Sequence, residues 1–157
     1  MQKRTIDANC HASIQIKAAI EDIFTVLSDH EGTPNWVEDV KSVKLLKEGS
    51  PKNGVPAIRE VNFKPMFWAT VQEEIIYYVK DEGYQYKILK MAGVADHLGT
   101  WSLTQEEHGN VKVSWDIHFK FKKIHWFRLI IPIFIPAFKK VQEKALLSLK
   151  NLLEKSS

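Results

Sequence analysis

The chain has 157 residues, 45% of them apolar and 26% charged, a length that suits one domain and a mixture that excludes disordered, collagen-like and low-complexity chains. Its single cysteine, Cys10, excludes an internal disulfide and a Cys-rich zinc site. The net charge of +3 is uneven: residues 1–119 sum to −4 and residues 120–157 to +7. The basic end either favours an anionic surface or forms the solvated face of a terminal helix. Charge at the N-terminus with no apolar stretch behind it argues against a secretory signal and for the cytoplasm.

Residues 11–17 alternate as a half-buried strand, with Ala12, Ile14 and Ile16 inside and Cys10 just ahead of it. Ile20, Ile23, Phe24 and Leu27 follow at helical spacing until Gly32 and Pro34 stop the pattern. Thr33-Pro34 suits the start of a second short helical turn, which carries Trp36. From 40 to 121 the pattern is one of strands broken by turn chemistry at 48–54, 64–66, 81–83, 91–96 and 108–110. Such short gaps predict an antiparallel meander. In its clearest strand Val111, Val113, Trp115, Ile117, Phe119 and Phe121 alternate with polar residues. After Lys123 the period becomes helical, with Phe138, Val141, Ala145, Leu149 and Leu152 on one stripe. Pro132 and Pro136 predict that the regular helix starts near 136. The order is α+β: a strand, two short helices, about six more strands and a long C-terminal helix that covers the sheet's apolar face.

This order resembles a known superfamily. Residues 17–29 with Asn35-Trp36-Val37 and Val40-Lys41-Ser42-Val43 are similar to the opening of the START-like, or helix-grip, superfamily near its polyketide cyclase/dehydrase and lipid-transport branch. Thr70 to Glu74, Tyr84-Gln85-Tyr86, Gly99 to Leu103, Val111 to Trp115 and the helix around residues 145–152 continue the likeness, which spans about 11–155 of a single 1–157 domain. The resemblance implies a curved antiparallel sheet of about seven strands around the terminal helix, with an apolar cavity for lipids, polyketides or other hydrophobic molecules. It implies no single reaction, because members include carriers, receptors, chaperone activators and enzymes.

Nucleotide fingerprints are absent, and neither nucleic acid nor a cofactor is expected. The six histidines show no metal-binding spacing, so no metal is expected either. Cys10 has no base near it in sequence to make it a nucleophile. Strand parity says more. Arg59 shares its side with Val61 and Phe63, and Glu73 shares its side with Val71, Ile75, Tyr77 and Val79. Burying either charge alone is costly, so the two need each other, water or a polar ligand, unless a bulge or snorkelling takes them outward. Parity likewise groups Tyr84 with Tyr86 and Ile88, His97 with Trp101 and Leu103, and Trp115 with Phe119. The expected cavity wall is Trp36, Arg59, Phe63, Glu73, Tyr77, Tyr86, His97, Trp101, Trp115 and Phe119, either around a ligand or as solid core.

Three functions stay open. The first is binding or carriage of a hydrophobic small molecule. The second is an aromatase/cyclase-type enzyme, in which Arg59 would stabilise an enolate and Glu73, Tyr77, Tyr86 or His97 would move protons. The third is an interaction module using the basic end. Residues 124–138 are apolar, bracketed by Lys122-Lys123 and Lys139-Lys140, and too short and proline-broken to span a membrane. They suit a lid over the sheet or, through 122–140, a contact with a membrane surface.

Overall fold

Alternation of apolar and polar residues in seven segments and a 3.6-residue period in two others produce one sheet and two α-helices. The computed structural model describes residues 5–64, 70–91, 93–123 and 126–155. The elements are β1 (Thr5–Ile16), α1 (Ile20–Ser28), a 3-10 turn (Thr33–Asn35), β2 (Val40–Lys47), β3 (Ile58–Phe63), β4 (Thr70–Val79), β5 (Gly83–Lys90), β6 (Val94–Gln105), β7 (Val111–Lys122) and α2 (Phe127–Lys155). A further 3-10 turn, Glu107–Gly109, joins β6 to β7. The fold is the helix grip: a curved, fully antiparallel sheet in the order β1-β7-β6-β5-β4-β3-β2, with α2 packed along β1 and β7.

Consecutive strands from β2 to β7 are neighbours because their connections are short, and β1 closes on β7 in continuous register from Thr5↔Lys122 to Ile16↔Val111. Register shifts between β2 and β3, β4 and β5, and β6 and β7 bend the strands, which gives the sheet a concave face. On that face Val113, Trp115, Ile117, Phe119 and Phe121 of β7 are buried against Phe134, Phe138, Ala145, Leu146, Leu149 and Leu153 of α2. Each such large side chain contributes about 1.5–3 kcal/mol on full burial. Gly83 turns the chain from β4 into β5 at φ 143°, and a Cβ there would lie 2.0 Å from the Trp101 carbonyl oxygen. Only glycine fits.

Several expected boundaries move. β1 begins at Thr5, so Cys10 lies inside the strand, buried, with its Sγ 3.9 Å from the Ile135 carbonyl oxygen of α2. Burial pushes its thiol up to about 11, against a small opposing pull from Lys139. α2 begins at Phe127, one and a half turns before Pro132. Each proline removes one backbone bond, to the carbonyls of Arg128 and Pro132, and Arg128, Pro132 and Pro136 are all exposed, on the side of the helix where such a loss costs least. The buried stripe ends on Leu153, while Leu152 is exposed. Residues 65 and 66 of the turn expected at 64–66 and part of the segment 124–138 lie outside the described residues.

Candidate functional site

The charged part of the site is built by register. Arg59 of β3 and Glu73 of β4 are directly opposed, on the concave face, and the arginine Nε donates to Glu73 Oε2 at 2.7 Å. Both are 6% exposed. His30, which follows α1, completes the cluster. Its Nδ1 accepts from Arg59 Nη1 at 2.9 Å and its Nε2–H donates to the Asn53 carbonyl at 2.9 Å. Tyr86 and Tyr84 cover the guanidinium, with ring centroids 4.8 and 5.7 Å from its central carbon.

Burial and the neighbouring Arg59 charge push His30 down to about 3, so it is a neutral acceptor at pH 7. Burial also opposes the Arg59 charge, and Glu73 with the two tyrosines overcomes that opposition and raises its pKa. The Glu73 carboxyl is lifted by burial while Arg59 pulls it back. The three groups thus satisfy one another, as a buried charge requires.

Above this cluster runs an aromatic wall. Trp101 and Trp115, a cross-strand pair, stack at 4.5 Å, and Trp36 meets Trp101 edge-on at 5.9 Å. Trp115 Nε1–H donates to the Tyr86 hydroxyl at 2.9 Å. Burial holds that phenol well above its ordinary pKa, so it stays protonated. The Tyr86 ring has room because its cross-strand partner is Gly99, where a Cβ would come within 2.1 Å of the ring. His97 sits between Tyr86 and Phe119, at 5.4 and 4.9 Å. Burial pushes it down to about 4, so it is neutral.

Trp36, Arg59, Phe63, Glu73, Tyr86, His97, Trp101, Trp115 and Phe119 border one recess between sheet and α2, joined by Tyr84, Met91, Phe134, Phe138 and Val141. It is partly open to solvent and keeps about 80 Å³ of free interior volume. Tyr77 is a correction: it is 45% exposed and does not border the recess. A bulge between Ile75 and Tyr77 changes the strand's phase, leaving Ile76 and Tyr77 both outside and bringing Tyr78 onto Phe24. His30 is the residue that the pattern of the sequence missed. It stands among Asp29, Glu31 and Gly32 in a segment with turn composition, and nothing local marks it as buried. Of the α2 contributors, Phe134 is missed with the helix start, whereas Phe138 and Val141 lie on the stripe that the sequence already assigns to the helix. Among the described residues, no three His, Cys, Asp or Glu side chains cluster as a metal site requires.

A curved sheet gripping a long helix over an apolar recess defines a START-like domain. The chain belongs to the polyketide cyclase/dehydrase and lipid transport family, whose profile matches residues 7–154. Among solved structures it is similar to a protein from Thermus thermophilus, with TM-score 0.78 and 16% identity over 96% of this chain and 99% of that one. A Thalictrum flavum norcoclaurine synthase point mutant, solved with a transition-state analogue, gives TM-score 0.75 and 16% identity over 99% and 100%. A START superfamily protein from Mycobacterium smegmatis gives 0.73 and 14% over 95% and 99%. No curated protein matches the chain. Family and fold together indicate hydrophobic ligand binding. No helix among the described residues is long and apolar enough to cross a membrane.

Proposed function

We propose that the chain binds or carries a hydrophobic small molecule, lipid or polyketide-like, in the recess between sheet and α2. The observation that carries this reading is the recess itself: aromatic and aliphatic walls around a few fixed polar groups. Its 80 Å³ falls short of the roughly 300–1,000 Å³ of drug-sized sites. A ligand of that size therefore lodges one end inside and either extends through the opening or displaces side chains such as Phe134 and Phe138. The cyclase alternative has less support. Arg59 and Glu73 are committed to each other, Tyr77 is outside, and Tyr86 is held protonated, which leaves His97 as the neutral base within reach of a substrate. Extraction of the purified protein tests the ligand reading: a released apolar molecule supports it, and an empty interior opposes it.

A specific observation also favours contact with an anionic membrane surface. Phe134 and Phe138 turn one face of α2 toward the recess, while Leu129 and Ile133, 75% and 73% exposed, turn another toward solvent beside the half-exposed Trp126. Exposed Lys122, Lys123, Arg128, Lys139 and Lys140 flank them. Exposed apolar side chains flanked by cations, on the helix that borders the recess, suit an interface where ligand is loaded. Sedimentation with vesicles in low salt is expected to carry down several-fold more protein when the vesicles contain phosphatidylserine than when they are phosphatidylcholine alone. Replacing Leu129 and Ile133 by serine should remove the difference and leave thermal stability within about 1 kcal/mol, since both are exposed. Equal sedimentation with both vesicle types would end this part of the proposal.

A further inference from the structure

Two side chains that border the recess carry buried polar atoms with no hydrogen-bond partner among the described residues, Trp36 at Nε1 and His97 at Nδ1. Both side chains are only 4% exposed. An unpaired buried polar group costs about 1–3 kcal/mol, and native proteins keep few of them. Their surroundings explain the shortfall: Trp36 faces the Trp101 ring, and His97 lies between the rings of Tyr86 and Phe119. Two other polar side chains of the wall are engaged. Arg59 serves Glu73 and His30, and Tyr86 accepts from Trp115.

We infer that the recess selects an uncharged, mainly apolar molecule carrying a ketone or hydroxyl oxygen, which takes up the hydrogen bonds left open at Trp36 Nε1 and His97 Nδ1. The inference rests on the recess being a ligand site and adds the chemistry of the ligand. An indole N–H only donates, so its complement is an acceptor oxygen; a neutral imidazole nitrogen serves a carbonyl or a hydroxyl according to its tautomer. A carboxylate or phosphate is disfavoured. Arg59, the one cation among the wall's described residues, is already balanced by Glu73, and His97 is neutral, so a second anion would be buried without a counter-charge.

The test titrates the full-length protein at pH 7 with three matched probes: 2-acetylnaphthalene, 2-naphthoate and 2-ethylnaphthalene. The ketone is expected to bind about tenfold more tightly than the hydrocarbon, the worth of one good buried hydrogen bond, and more tightly still than the carboxylate. It should also move the Trp36 indole N–H resonance downfield, which the hydrocarbon should not do. Trp36→Phe and His97→Phe should each bring the ketone-to-hydrocarbon ratio toward one. If either variant fails to fold, the other variant and the wild-type Trp36 resonance decide. Carboxylate binding as tight as the ketone's, or a ratio unchanged in both variants, would overturn the inference. A hydrocarbon that binds as well as the ketone would overturn it while leaving the apolar recess as a ligand site; binding of none of the three would overturn both.

Discussion

Replacing Arg59 by methionine is expected to lower the unfolding free energy by about 3–5 kcal/mol, the usual cost of removing one partner from a buried ion pair. The change strands the Glu73 carboxylate, 6% exposed and otherwise paired through the 2.7 Å contact, and removes the donor to His30 Nδ1. A domain of this size has roughly 5–15 kcal/mol to lose, so the melting temperature should fall by about 10 °C. The double variant Arg59→Met, Glu73→Leu should recover most of the loss, because a packed apolar pair often matches a buried ion pair. Urea unfolding of the two variants checks both statements. A single variant within about 1 kcal/mol of wild type would mean that water reaches Glu73 and that the cluster is not sealed.

Acid should destabilise the fold through His30 before most carboxylates titrate. The unfolded chain takes up the His30 proton near 6.5, whereas the folded chain, with that imidazole buried against Arg59, resists until about 3. The sign follows from which state binds the proton: stability is complete above 6.5 and falls as the pH drops from 6.5 toward 3. At about 1.4 kcal/mol per pH unit, the full interval removes on the order of 5 kcal/mol. His97, pushed down to about 4, adds to the loss with the same sign. Urea midpoints of wild type should therefore hold nearly level from pH 7.5 to about 6.5 and decline from there to pH 5. His30→Gln, which keeps an acceptor for Arg59 and cannot titrate, should decline less steeply. A wild-type midpoint that stays level from pH 7.5 to 5 would show that His30 protonates without leaving its place.

Legibility in the sequence follows local regularity. Along β7 the two-residue alternation is unbroken from Val111 to Lys122, and its inward residues are readable one by one. The pairing of Arg59 with Glu73 is readable as a need, since two inward charges on successive strands have few other ways to be satisfied. Parity misplaces Tyr77 because a bulge has no two-residue signature; it shifts phase within an otherwise regular strand. The start of α2 is hidden because a proline's cost depends on whether the carbonyl it abandons meets water, which is a property of the packed helix. His30 is invisible for a related reason: its burial comes from the meeting of the segment after α1 with Asn53 and β3, none of which is adjacent in sequence. The size of the recess is equally out of reach, because the same residues line a cavity or fill a core depending on how closely α2 approaches the sheet.

The central claim, that the space between sheet and α2 holds an apolar guest, is tested most directly by mass spectrometry of protein purified without detergent from cells that make it. The spectrum of the native protein is compared with that of its organic extract after denaturation. The expected result is one uncharged, mainly apolar molecule per chain, present in the native spectrum and released on unfolding. A native mass equal to that of the bare chain, with nothing above background in the extract under any growth condition tried, would contradict it.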